Sequence, residues 1–404
     1  MNKIKVGVLR ETKTPPDKRV VLPPEQAAMV TMKFPNIDLL VQPSDYRSFK
    51  DEEYLKAGIT LQEDLSDCTF LLGVKEVDIP ELIDDKRYLF FSHTAKKQAY
   101  NRPLLQACLK QNISLMDHEY LTASSGMRLV AFGRWAGIVG AYNGLIAFGK
   151  RNDLFDLPRA KDLHDMKEML HEVSKIELPP IKILITGGGR VAHGALEALA
   201  PLNIKKVSPQ EFLSEEFEEP VVCQIDPDWY VKRKDGAEFD MNHFFKNPEA
   251  YESTFKPFTK VTDFYIPCHF WDQKSPRFMS PEDMRDPDFR IEVIADVSCD
   301  IADPIPSTLR ASSIEDPFYG YNPATGKESD AWDLNSVTVM AVDNLPGELP
   351  RDASVDFGNA LIEKVFPAMF VEDHDGIVDR ATITQGGKLT EDYRYLQDFV
   401  EGRE

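Results

Sequence analysis

The chain has 404 residues, 42% hydrophobic and 28% charged, enough for two or three domains with cores of their own and too apolar for general disorder. With 47 basic against 67 acidic side chains the formal net charge is −20, which argues against nucleic acid or an anionic membrane as partner but not against a small anionic molecule. The five cysteines, Cys68, Cys108, Cys223, Cys268 and Cys299, are odd in number and lack metal-ligand spacing, so they read as thiols of a reducing compartment, the cytoplasm, with no metal site.

In chain order, the opening MNKIKVGVLRE reads as a strand rather than a signal peptide. Apolar runs at Ile4–Leu9, Asp38–Val41, Thr69–Val74, Tyr88–Ser92, Ile113–Met116 and Leu129–Phe132 alternate with helical or turn-rich segments, the pattern of an α/β sheet. Arg10 sits at the end of the first run, Arg19 in the loop after it, and Arg128 before the sixth. Their guanidinium forks suit carboxylates.

Two of these runs end in titratable residues. Thr69–Val74 leads into Lys75 and Tyr88–Ser92 into His93, and Glu76–Arg87 between them is long enough for a parallel crossover. Adjacent parallel strands lie about 4.8 Å apart. An amine and an imidazole would then share the crevice at the carboxyl ends of a sheet, where open α/β folds bind ligands. Each positive charge would lower the other's pKa, and burial would add to this, bringing the lysine towards proton-transfer range. Glu119, after the fifth run, is placed to balance them.

Leu129–Gly149 is the nearest approach to a membrane span. It contains Arg134 and Asn143, and Ala136, Gly140 and Gly144 recur every four residues, so it reads as a soluble helix lying close against another backbone. This helix and the charged segment Lys150–Glu177 read as a hinge region into a second domain. There the runs are Ile181–Thr186, Val221–Ile225, Thr262–Ile266, Glu292–Asp296 and Ser336–Val342, with Pro304–Asp333 as surface loop. A late helical pattern, Ser354–Phe370, puts Leu361, Val365, Phe366 and Met369 on one face and returns to the first domain.

After Ile181–Thr186 comes Gly187-Gly-Gly189-Arg190-Val191-Ala192, which fits G-x-G-x-x-A between a strand and a helix. Gly187 would make the tight turn, Gly189 would admit a pyrophosphate, and Ala192 would let helix pack on strand. The next strand, Ile204–Ser208, ends in Ser208 rather than the carboxylate of an NAD site, with Lys205 and Lys206 nearby, so NAD and NADP both stay open. The expected class is α/β, with two Rossmann-like domains of parallel sheets separated by an active-site cleft. A discontinuous catalytic domain would cover residues 1–133 plus about 345–404, and a dinucleotide-binding domain residues 134–344.

GVKEV, FFSHTAKKQ, RLVAFGRWAGIVG, QPSDYRSFKDEEYLKAG, DVSCD and AVDNLPGELPRDAS together resemble the saccharopine dehydrogenase family. They are especially similar to the lysine–ketoglutarate reductase half of the bifunctional lysine-degradation enzyme, and the similarity spans nearly the whole chain. The resemblance implies reversible NAD- or NADP-dependent oxidative cleavage of saccharopine to L-lysine and 2-oxoglutarate through an imine and a carbinolamine. It puts the family's catalytic pair on Lys75 and His93, its substrate-contacting residues on Arg19, Arg128 and Phe132, its pKa-tuning acids on Glu76 and Glu119, and the aspartate near the nicotinamide on Asp343. The sequence departs from the fungal form around Ala192 and lacks a clear acidic equivalent after the second strand. The alternatives are an alanine dehydrogenase-like enzyme, which shares the two-domain plan and a lysine/histidine pair, and a non-catalytic dinucleotide sensor. Small-molecule substrates (saccharopine, L-lysine and 2-oxoglutarate) are the expected partners, with no nucleic acid and no membrane; the oligomeric state is left open.

Overall fold

The computed structural model of the protein describes residues 3–14 and 17–403. Two units share the chain, one from Met1–Phe132 with Pro350–Glu404 and one from Gly133–Leu349.

The first unit is a six-stranded sheet of β1 (Ile4–Val8), β2 (Ile37–Val41), β3 (Thr60–Leu61), β4 (Phe70–Leu72), β5 (Arg87–Phe90) and β6 (Ser114–Asp117), in the order β3-β2-β1-β4-β5-β6. Every pairing is parallel. Parallel strands are covered on both faces, which is why FLL and YLF are continuous apolar runs and fully buried. The register Phe70↔Arg87, Leu71↔Tyr88, Leu72↔Leu89 sets β4 beside β5, joined by a crossover with a short 3₁₀ turn at Ile79–Glu81.

Helix α1 (Pro24–Lys33), α2 (Asp51–Lys56) and α3 (Arg102–Lys110) lie in the connections. Pro24 opens α1, where a missing N–H costs nothing. The returning tail forms helices Pro350–Lys364 and Phe366–Phe370. Phe366 and Phe370 meet Phe34, and Phe370 meets Phe70 at 5.5 Å, in edge-on contacts. Each such buried ring contributes about 1.5–3 kcal/mol. The Val20 amide donates to Ser354 Oγ at 2.9 Å, tying the tail to the first loop. Leu129–Phe132, expected as a strand, is not one. A turn at Gly126 (φ +81°) folds the chain back so that Arg128 bridges to Thr122 and Leu129 N donates to Leu121 O, leaving no parallel neighbour for the run.

The second unit carries an eight-stranded sheet. Its strands are β7 (Lys182–Thr186), β8 (Lys205–Lys206), β9 (Val221–Ile225), β12 (Phe264–Pro267), β13 (Val293–Ala295), β14 (Phe318–Asn322), β15 (Lys327–Ser329) and β16 (Val337–Met340). A separate antiparallel hairpin pairs β10 (Val231–Arg233) with β11 (Tyr251–Ser253). The order is β15-β14-β16-β13-β12-β7-β9-β8, parallel except for β14 and β15. Pro304–Asp333 is therefore not simply loop. It supplies the antiparallel edge, and Ile305, Tyr319 and Tyr321 are core residues, an amphipathic pattern hidden by its prolines and acids.

Helix α4 (Gly133–Arg151) lies within this unit, as does the segment after it, where α5 (Met166–Val173) buries Met169 and Val173. The expected hinge is thus part of the second unit's body. A Cβ on Gly137 would fall 1.9 Å from Val191 O, and one on Gly194 2.0 Å from Arg134 O, so α4 and α6 (Arg190–Leu199) cross backbone to backbone. Among the described residues no helix is long and apolar enough to cross a membrane.

Candidate active site

Lys75 and His93 each come just after the carboxyl end of adjacent parallel strands, β4 and β5. Glu76 connects them: it is Lys75's neighbour in the chain, and its Oε1 accepts from His93 Nδ1 at 2.8 Å. Its Oε2 accepts from Lys13 Nζ at 2.8 Å. Burial pulls the Glu76 carboxyl up, but these two hydrogen bonds outweigh it and hold it at about 2. A carboxylate on Nδ1 favours the tautomer of the neutral imidazole whose lone pair is on Nε2.

His93 has φ +52°, an unusual backbone for a residue with a side chain. Buried Asp117, at the end of β6, pins this turn: its Oδ2 accepts from Ser92 N (3.0 Å), Ser92 Oγ (2.6 Å) and His93 N (3.1 Å). Phe91 stacks on the His93 ring. Strain of this kind costs about 1–3 kcal/mol and needs such over-determination.

The Lys75 amine is lowered from its ordinary value, first by burial and then by the charge of Arg19. Arg19, rather than His93, is the cation that matters most to it. Among the described residues Lys75 makes no ion pair. Arg19 is 2% exposed and paired with Asp17, its Nη2 2.6 Å from Oδ2 and its Nε 2.9 Å from Oδ1. Burial opposes ionisation of Asp17, and Arg19 overcomes it, holding the carboxyl well below the usual range. The guanidinium lies over the Phe132 ring at 4.3 Å, and Phe132 stacks on Phe357.

Glu11 and Asp117 are not marked out by the sequence. Glu11 accepts from the amides of Val74 (2.7 Å) and Lys75 (2.8 Å), and burial lifts its carboxyl to about 7 despite them. Its place in the loop three residues past β1 is the one signal for it. Asp117 has none beyond its place at a strand end.

Glu119, expected beside the lysine and histidine, instead pairs with Arg128 and with Lys96 (3.1 Å). Arg128 therefore enters the unit already attached to a carboxylate, with half its side chain exposed. Arg10 is held by a two-pronged pair with Glu63 and is not drawn into this cluster.

In the second unit, Gly187 takes φ +98°, and a Cβ there would meet Cys268 O at 2.8 Å, so glycine is required. Gly189 is the N-cap of α6 and has open space around it; Gly188, Gly189 and Arg190 are exposed at the helix's positive end, Val191 half-buried and Ala192 buried. This cradle fits a pyrophosphate. Ser208 does not lie beside it. It follows the edge strand β8 by two residues and caps the next helix, Pro209–Ser214, in a reciprocal pair with Glu211, while the strand paired with β7 is β9. The residue in the expected acidic position is Asp226, just past β9, and a Cβ on Gly188 would fall 2.4 Å from its Oδ1. Chain order hid this, because β8 precedes β9 but sits outside it. Asp343 is exposed beyond the carboxyl end of β16.

Residues 7–139 match the family described as alanine dehydrogenase/PNT, N-terminal domain. The chain is 29% identical to the mitochondrial alpha-aminoadipic semialdehyde synthase of Mus musculus over 96% of its own length and 47% of that protein's, and 28% identical to the Arabidopsis thaliana protein of that name over 97% of its length and 41% of that protein's. It thus spans about half the length of these relatives. Against the saccharopine dehydrogenase [NAD(+), L-lysine-forming] of Emericella nidulans it is 25% identical over 90% of its length and 91% of that protein's. Among solved structures, an L-alanine dehydrogenase superposes with a TM-score of 0.68 at 16% identity, covering 99% of this chain and 100% of that one. A transhydrogenase from Sinorhizobium meliloti gives 0.58 at 14% identity, covering 96% and 98%. The fold is that of the alanine dehydrogenase-like proteins, and the chain is a relative of the saccharopine dehydrogenases and alpha-aminoadipic semialdehyde synthases.

Proposed function

We propose that the protein is a nicotinamide-coenzyme-dependent saccharopine dehydrogenase, interconverting saccharopine with L-lysine and 2-oxoglutarate. The observation that carries this reading is the placement of Lys75 and His93 just past the ends of the adjacent parallel strands β4 and β5, with the imidazole fixed through Nδ1 on the Glu76 carboxylate. Cleaving a secondary amine through an imine and a carbinolamine moves protons on and off both nitrogen and oxygen, work for two acid–base groups. His93 Nε2, with Nδ1 fixed on Glu76, takes the proton of the attacking water, releases it to solvent, and then takes that of the carbinolamine hydroxyl as the carbon–nitrogen bond breaks. Lys75, its amine shifted down by burial, exchanges the proton of the substrate nitrogen. Arg19 and Arg128 bind the carboxylates of the 2-oxoglutarate moiety, with Phe132 as the platform under Arg19.

A bound nicotinamide coenzyme supplies the hydride exchange. The Gly187–Ala192 turn would hold its pyrophosphate, and Asp226 would accept from its adenosine ribose hydroxyls. A carboxylate there repels a 2′-phosphate, so the coenzyme is NAD(H). The deciding assay tracks NADH or NADPH consumption with lysine plus 2-oxoglutarate, set against pyruvate plus ammonia. Turnover with the second pair alone would make the protein an alanine dehydrogenase, and coenzyme binding without turnover of either pair would make it a sensor.

A further inference from the structure

The ladder between β1 and β4 ends at Val8↔Leu72, and one further bond follows, from Leu9 N to Leu72 O. Beyond it the Glu11 side chain takes over. Its Oε1 accepts from Val74 N at 2.7 Å and its Oε2 from Lys75 N at 2.8 Å. On the β5 side Phe91 N donates to Val74 O at 3.0 Å, so the main chain entering Lys75 is held from both flanks. The next two residues of the loop continue along the same segment. Thr12 Oγ1 accepts from Asp78 N at 3.2 Å, and Lys13 Nζ reaches Glu76. Glu11 thus opens a run of contacts along residues 74–78, on the loop that also carries Asp17 and Arg19.

Two consecutive amides need two acceptor oxygens, and an ionised carboxylate offers both with no donor of its own. Holding it there is costly, because burial lifts the carboxyl to about 7 despite the two bonds. What it holds is the backbone of the residue whose amine exchanges protons with the substrate nitrogen. A misplacement of about 1 Å at such a group can cost about 10²-fold in rate.

We propose that Glu11 is a positioning residue of the reaction: gripping the Val74 and Lys75 amides, it sets the Lys75 amine against the substrate nitrogen without itself contacting a reactant. This rests on the saccharopine reading and adds to it the group that keeps one proton carrier in register with the other, His93.

Glu11→Gln in the full chain keeps the side chain's length but turns a donor onto one of the two amides. At about pH 8, where the wild-type carboxyl is largely ionised, kcat with lysine and 2-oxoglutarate should fall about tenfold or more, while NADH affinity and both Michaelis constants stay within about twofold. Acetylation of Lys75 by acetic anhydride across pH, followed by peptide mass spectrometry, reads the amine without turnover. Its titration should move up, towards that of an ordinary lysine, as the amine leaves its buried place and the field of Arg19. Loss of a negative charge alone would move it down. Glu11→Asp keeps the charge but shortens the reach, should give the same upward shift, and decides if Glu11→Gln does not fold. An unchanged kcat, or a Lys75 titration that stays or moves down, would overturn the positioning role. A wild type that does not turn over lysine and 2-oxoglutarate, but whose Lys75 titration still moves up in the variants, would instead overturn the saccharopine reading and leave the grip on Lys75 standing.

Discussion

Glu76 receives His93 Nδ1 on one carboxylate oxygen and Lys13 Nζ on the other, each at 2.8 Å. Replacing it with Gln keeps the shape and removes the charge that fixes the imidazole tautomer. Glu76→Gln should cut kcat by about tenfold or more with little change in coenzyme affinity, since removing an orienting carboxylate spoils general-base chemistry. Steady-state kinetics check this.

The same carboxyl gives a stability prediction. Its folded pKa is depressed from 4.5 to about 2, so it stabilises the fold above pH 4.5, and that contribution is lost as pH falls through about 2. Acid unfolding of wild type between pH 4.5 and 2 should be steeper than that of Glu76→Gln. Superimposable curves would contradict the pairing.

Lys75→Met should lower turnover by about 10²–10⁴-fold, the usual worth of an acid–base group, with coenzyme binding nearly intact. Burial and Arg19 both depress this amine from 10.5, so its limb in the pH–rate profile should lie below that of a free lysine. Arg19→Gln should move the limb to higher pH. A profile identical to wild type would assign it to another group.

Arg19 and Asp17 are a buried pair, 2% and 6% exposed. Removing Arg19 alone strands a carboxylate and should cost about 3–5 kcal/mol in denaturant unfolding, whereas Asp17→Asn with Arg19→Met together should cost less than that. The substrate role is separable at Arg128, which is half exposed: Arg128→Ala should raise the KM for 2-oxoglutarate without comparable destabilisation. An unchanged constant would remove Arg128 from the site.

Asp226→Ser should shift the ratio of kcat/KM for NADH over NADPH towards NADPH by about 10–100-fold, an effect of roughly 1.4–2.8 kcal/mol. A ratio that does not move would mean that the ribose hydroxyls are held elsewhere.

The fully buried parallel strands are legible in the sequence because strands covered on both faces are unbroken apolar runs, and the glycine turn because only glycine fits at Gly187. Lys75 and His93 are legible from the same runs, since a residue just past the carboxyl end of a buried strand emerges at the rim of the sheet. Three features are not. Spatial strand order cannot be read from chain order, so Ser208 stood in for Asp226. Leu129–Phe132 has strand composition, but nothing local shows that the Gly126 turn denies it a partner. The anchoring roles of Glu11 and Asp117 depend on backbone amides converging from other strands, which leaves no mark in their own neighbourhoods.

The tail that packs Phe366 and Phe370 against Phe34 and Phe70 has a consequence for synthesis. The first six strands leave the ribosome more than two hundred residues before the helices that cover one of their faces, while the second unit is made without interruption. The nascent chain can therefore complete its second unit first and must carry the first unit's aromatic face uncovered meanwhile. A chaperone that recognises exposed aromatic surface would engage the strands before Phe132 and let go only once the helices after Pro350 emerge.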